Sequence, residues 1–174
     1  MIILGIDPGY ATTGFGVLQA ERGQLRLLNY GTITTPAGPA LSKRLVMLYD
    51  DMMKLLNTVK PDAVAVVCDA TSLERNLNLV LQIAEISKRT VVCVNLMDEA
   101  KRKGIKIDLK RLSKILGVPV AGTAARKKKT LYGFTDAVNA ALDEKDPHCI
   151  KISYPEPIER AVRIVEPEAA RIAA

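Results

Sequence analysis

The chain has 174 residues, of which 48% are hydrophobic and 25% charged, a balance that suits one domain able to bury a sizeable core. Aromatics are only 4% and tryptophan is absent, which weighs against a single-strand reader built on stacking platforms. The net charge of +6 is uneven: residues 1–67 are almost balanced, and the excess gathers in Lys101-Arg102-Lys103 and Arg126-Lys127-Lys128-Lys129, runs that read as solvated loop charge or as a phosphate patch.

Residues 2–7 form an apolar, β-favouring run that ends at Asp7 and is broken by Pro8-Gly9. Residues 13–19 and 25–34 alternate as strands joined through Glu21-Arg22-Gly23, giving an antiparallel meander of three strands. A helix over about 40–58 follows from the spacing of Leu41, Leu45, Leu48, Met52, Leu55 and Leu56, and Lys60-Pro61-Asp62 ends it. Ala63–Cys68 is a continuous apolar run, as in a strand buried on both faces. Thr71 with Glu74 reads as a capping box opening a helix to about Lys88. Thr90–Val94 is a second buried strand. Asp108 caps a short helix through Leu116, and Gly117 ends it. Val118–Gly122 is a strand, Thr135–Leu142 a helix, and Pro157 suits the first turn of a last helix over about 157–165.

A meander followed by βαβ units predicts an α/β three-layer sandwich with a mixed central sheet. Right-handed crossovers favour the strand order 3-2-1-4-5-6, with the first, fourth, fifth and sixth strands parallel. Residues 1–150 then make one α/β domain, and 151–174 form a C-terminal helix and tail. The carboxyl ends of the parallel strands carry Asp7, Asp69, Asn95 to Asp98 and Thr123 to Ala125, so the polar groups converge on the rim where open α/β sheets bind ligands.

No apolar run approaches the ~18 residues of a membrane span, and the N-terminal run has no basic region before it, so a cytoplasmic protein without a membrane partner is expected. Cys68, Cys93 and Cys149 lie far apart with no CxxC, which speaks against a zinc site or disulfide framework. With His148 the lone histidine, a Ser-His or Cys-His triad has little to build on.

Gly5-Ile6-Asp7-Pro8-Gly9, Thr13-Gly14-Phe15-Gly16-Val17 and Lys60-Pro61-Asp62-Ala63-Val64 give residues 1–66 a resemblance to RuvC-type Holliday-junction resolvases of the RNase H-like superfamily. The resemblance implies that Asp7 is a metal-binding carboxylate in two-metal phosphodiester hydrolysis. It also exposes gaps: Val67 stands where that family carries a catalytic glutamate on the fourth strand, and Asp136 alone resembles its late carboxylate pair, with Gly133 at the partner position.

A second resemblance begins within the same strand. Val92-Cys93-Val94-Asn95-Leu96-Met97-Asp98-Glu99-Ala100-Lys101, Gly117-Val118-Pro119-Val120 and Gly122-Thr123-Ala124-Ala125 are similar to the G domain of FeoB-type ferrous iron transporters over about 64–130, with a related stretch over 152–167. The resemblance implies that Asn95 and Asp98 read guanine and that the backbone of Thr123-Ala124 meets its O6. A GxxxxGK[ST] word is absent from the sequence, as is a DxxG before the fourth strand.

The two resemblances divide the domain into a resolvase-like half, 1–66, and a G-domain-like half, 67–150, and two half-sites imply an engineered or recombined hybrid without evolved catalysis, hence not an enzyme, and without evolved partners. The alternatives are residual weak guanine-nucleotide binding at Asn95 and Asp98, or residual metal-dependent nuclease activity around Asp7. No cofactor is required on this reading. Asp7 and Asp69 are the candidate ligands for weakly held Mg²⁺ or Mn²⁺, unless Asp69 turns away to cap the next helix. Nucleic-acid phosphate is the remaining weak partner.

Overall fold

The computed structural model describes residues 1–9, 11–21, 24–146, 150, 151, 153, 155–157, 160 and 163. The meander consists of β1 (Ile2–Asp7), β2 (Thr12–Glu21) and β3 (Gln24–Thr34), and the long helix α1 (Leu41–Val59) follows it. Then β4 (Ala63–Asp69), α2 (Leu73–Ile86), β5 (Thr90–Asn95), α3 (Met97–Arg102), α4 (Leu109–Leu116), β6 (Val120–Gly122) and α5 (Leu131–Leu142) complete the domain.

The six strands form one sheet in the order β3-β2-β1-β4-β5-β6. β1 pairs antiparallel with β2, and β2 with β3, while the β1–β4, β4–β5 and β5–β6 ladders are parallel. The fold class and strand order thus agree with the sequence expectation. Asp62 secures the entry to β4, because its carboxylate accepts the Ile2 N–H at 2.7 Å while its own N–H donates to the Ile2 carbonyl at 2.8 Å.

Strand alternation divides the core into two layers. Leu4, Ile6, Val64, Val66, Cys68, Val92 and Val94 pack with Val80, Ile83 and Ala84 of α2, with the half-buried Met52, Leu55 and Leu56 of α1 beside them. On the opposite face Ile3, Ala63, Ala65 and Val91 pack against Val138, Ala141 and Leu142 of α5. β4 and β5 are covered on both sides, which accounts for their unbroken apolar sequences.

Several boundaries differ from the expectation. The Thr71/Glu74 capping box does not form. The Asp69 carboxylate accepts the Thr71 N–H at 2.7 Å, and Ser72 precedes the first turn of α2 without a side-chain cap. α2 stops at Ile86 rather than Lys88, and the sixth strand is shortened to Val120–Gly122, although the Pro119 carbonyl still accepts the Val92 N–H at 2.9 Å. α5 begins four residues before Thr135, led in by a 3₁₀ turn over Lys128–Thr130. The cap at Asp108 does form, accepting the Arg111 N–H at 2.9 Å, and Gly117 closes α4 with φ 67°. Glu21 closes β2, whereas Arg22 and Gly23 of the expected turn, His148, Cys149 and most of the stretch over 157–165 lie outside the described residues.

Candidate functional site at the carboxyl rim

The β4–β5 ladder aligns Asp69 with Asn95, and Ile6 pairs with Val66, so Asp7 falls level with Val67. By the period of two, Asp7, Asp69, Cys93 and Asn95 share the face of the sheet on which α5 packs. The topology therefore gathers the Asp7 and Asp69 carboxylates and the polar loop after β5 along one edge.

At the tip of β5, Leu96 adopts the left-handed conformation, φ 62° and ψ 30°. That geometry strains a residue bearing a Cβ by about 1–2 kcal/mol. It is compensated where the Leu96 carbonyl accepts the N–H groups of Glu99 and Ala100 at 2.9 and 3.0 Å, and it turns the chain sharply from Asn95 into α3. Asp98 then falls in the first turn of α3, accepting the Glu99 N–H at 3.1 Å through Oδ1 and pairing with Lys127 at 3.1 Å through Oδ2. The hydrogen bond from Lys127 holds the Asp98 carboxyl below its usual range, so it is ionised at neutral pH.

Asn95 is held from the side of β6. Its Oδ1 accepts the Thr123 hydroxyl at 3.1 Å and the Ala125 N–H at 3.0 Å. A backbone N–H can only donate, so this contact fixes the carboxamide with oxygen inward. The Asn95 amino group keeps both donors available, with no acceptor for them among the described residues. Thr123 is 1% exposed and also touches the Cys93 thiol at 3.3 Å. The Ala124 N–H, the group that the G-domain resemblance assigns to guanine O6, is taken by the Thr130 hydroxyl at 3.0 Å.

Asp98, Lys101, Arg102 and Lys127 line an open cleft of about 600 Å³ beside this loop. Both basic runs are solvent-exposed, and the cleft brings one end of each together. Gly122 permits close packing at the foot of the loop, because a Cβ there would stand 2.7 Å from Leu109 Cδ1 and 3.2 Å from Met97 Cγ. Sequence reasoning found Asn95, Asp98, Thr123 and Ala124 but missed Cys93, Ala125, Lys127 and Thr130 as their partners. The Lys127 signal was available in the basic run, whereas a hydroxyl at 130 and a thiol at 93 carry no sequence mark of such contacts.

The Asp7 end is differently built. Burial pushes the Asp7 carboxyl up, and the nearby Asp69 carboxylate adds to the rise. Burial also pushes Asp69 up, but hydrogen bonds from the Thr71 N–H and hydroxyl and from Ser72, with the Lys103 charge, outweigh it and leave that carboxyl below its usual range. Asp69 thus serves the turn into α2 while remaining within electrostatic reach of Asp7. Among the described residues, no group of three His, Cys, Asp or Glu side chains stands close enough together to hold a metal ion. Val67 supplies no oxygen where a third carboxylate would be needed, so the donor set does not fit a two-cation centre.

Comparison with known proteins assigns the family. The family model for ferrous iron transport protein B matches residues 51–138. The chain belongs to the FeoB family. The G domain of FeoB from Methanococcus jannaschii is 32% identical, with a TM-score of 0.55, covering 74% of this chain and 80% of that one. The cytosolic domain of the T. maritima FeoB iron transporter in a GDP form is 25% identical with a TM-score of 0.61, covering 88% of this chain and 59% of that one.

The chain is also similar, over part of its length, to curated proteins of another kind. Crossover junction endodeoxyribonuclease RuvC from Syntrophomonas wolfei is 44% identical over 85 residues, 49% of this chain and 48% of the relative. RuvC from Ruminiclostridium cellulolyticum is 47% identical over 66 residues, 38% of this chain and 40% of the relative. The chain therefore spans about half the length of the curated relatives it matches. The RuvC/FeoB composite read from the sequence agrees with these findings.

The expectation that the chain is not an enzyme is corrected by the same findings. The FeoB match and the G-domain neighbours point to a GTPase family, and the curated relatives are endodeoxyribonucleases. The physical reason for the error is that absent motif words describe the phosphate and metal ends of two sites, while the match over residues 51–138 rests on the scaffold and its loops. Among the described residues, no helix is long and apolar enough to cross a membrane.

Proposed function

We propose that this chain recognises the guanine base of a nucleotide at the loop joining β5 to α3, on a sheet recombined from a resolvase-like and a G-domain-like half. The observation that carries this reading is the Asn95 carboxamide: its oxygen is engaged by Thr123 and Ala125, so its amino group presents two donors outward. Guanine offers acceptors at N7 and O6 for such a group, and donors at N1 and N2 for an ionised carboxylate such as Asp98. Lys101, Arg102 and Lys127 give the adjoining cleft a positive lining that favours an anionic ligand.

Binding is weak on this reading, because the sequence lacks the glycine-rich lysine loop through which G domains grip phosphates. A dissociation constant on the order of 1 mM follows from base contacts with little phosphate contribution. The comparison with FeoB cytosolic domains favours a cytoplasmic setting. Titration calorimetry with GDP and ADP tests the reading. Saturable heat with GDP that is absent with ADP, and lost in Asp98→Asn, is expected. Equal binding of GDP and ADP, or GDP binding unaffected by Asp98→Asn, refutes it.

A further inference from the structure

We propose that Cys93 is a positioning residue for Asn95, acting through the hydroxyl of Thr123. The available protons fix the direction of each contact. The Ala125 N–H identifies the inward atom of the Asn95 amide as oxygen, and an amide oxygen only accepts. Thr123 Oγ1, 3.1 Å from that oxygen, must spend its single hydrogen there. The contact between Thr123 Oγ1 and Cys93 Sγ, 3.3 Å long, then has one consistent direction: the thiol S–H donates to a lone pair of the hydroxyl. The result is a directed chain, from thiol to hydroxyl to carboxamide, that leaves both Asn95 N–H groups facing outward.

Each link is sheltered. Cys93 is 7% exposed and Thr123 1% exposed, so water competes poorly for either group. Burial pushes the Cys93 thiol up, with Asp7 adding to the rise, and the S–H keeps its proton at neutral pH. Cys93 also lies two residues before Asn95 on the same face of β5, so the strand itself sets the spacing of the chain's two ends. Without the thiol donor, the Thr123 hydroxyl is no longer held from behind, and Asn95 loses part of what fixes its amide.

The role assigned to Cys93 rests on the guanine reading, but its structural half can be tested without nucleotide. In the full chain, the Asn95 side-chain amide pair is identified by its loss in Asn95→Asp, and its ¹⁵N–¹H signals are followed in Cys93→Ala and Cys93→Ser. The expected result is a shifted or broadened Asn95 pair in Cys93→Ala and a pair close to that of the parent chain in Cys93→Ser, which keeps a donor. GDP affinity should fall about three- to tenfold in Cys93→Ala and recover to within about twofold in Cys93→Ser, the size of one buried hydrogen bond. An unmoved Asn95 pair in Cys93→Ala overturns the proposal, as does an equal disturbance in both variants, which would assign Cys93 a packing role. If the parent chain binds no GDP while the Asn95 pair responds as expected, the positioning inference stands and the guanine reading fails.

Discussion

Replacing Asp7 by asparagine should stabilise the protein near neutral pH. Asp7 ends β1 beside the Asp69 carboxylate, and burial together with that neighbour raises its proton affinity above the usual carboxylate value. A carboxylate whose folded pKa is raised favours the fold fully below its unfolded value, about 3.9, and that contribution is lost as pH rises through the folded pKa. At pH 7 the ionised group therefore works against folding. The substituted carboxamide keeps the shape and removes the charge, while Asp69 retains its bond to the Thr71 N–H.

Asp7 remains in contact with solvent, so screening limits the gain to about 0.5–1 kcal/mol. For a chain of this size that corresponds to a rise in melting temperature of about 1–4 °C. Melting of the parent chain and Asp7→Asn should be compared between pH 3 and pH 8 at low salt. The curves should meet at the acid end and separate as pH rises. A divalent cation drawn to the two carboxylates would narrow the gap at neutral pH by stabilising only the parent chain. A variant less stable than the parent at pH 7, or a difference independent of pH, refutes the reasoning.

Other consequences can be checked in the same way. Val66→Ala should cost about 2–3 kcal/mol, because Val66 is fully buried where β1 meets β4. In that variant, hydrogen exchange of β1 and β5 amides should accelerate together, and acceleration confined to β1–β3 would contradict a sheet that unfolds as one unit. Asp108→Ala removes the one bond its side chain makes to the first turn of α4 and should cost about 1 kcal/mol in a denaturant titration. Gly117→Ala places a Cβ at φ 67° and should also lose about 1 kcal/mol by the same measurement, with no change expected in GDP binding.

Much of the architecture was legible because the periodicities were long. α1 runs for 19 residues and its apolar spacing is unmistakable, while the continuous apolar runs of β4 and β5 announced strands covered on both faces. α3 was missed because six residues are too few to display a period, and its start depends on the left-handed backbone of Leu96, which no residue type signals. The capping box failed because a competitor was overlooked: Asp69 stands two residues before Thr71 and takes its N–H. At the site, the motif named Asn95 and Asp98 but could not orient them. Orientation came from Thr123, Ala125 and Lys127, which reach the loop from the β6 side, 28 to 30 residues away for the Asn95 contacts.

A join through β4, as the two sequence resemblances imply, has a consequence for how such a sheet can be assembled. A strand transmits parity. Val64 and Val66 point toward α2, and Cys68 farther along the strand points the same way, while Ala63 and Ala65 set the face shared by Asp69. One residue inserted between them would exchange the two faces of everything downstream in the strand, sending Cys68 toward α5 and Asp69 toward α2. Two residues would restore the faces but lift Asp69 out of line with Asn95 by about two strand rises of 3.3 Å. Splicing two α/β halves through a central strand is therefore an odd-or-even problem before it is a packing problem. The tolerated joins form a sparse series, in which the rim loops keep their level only at one member.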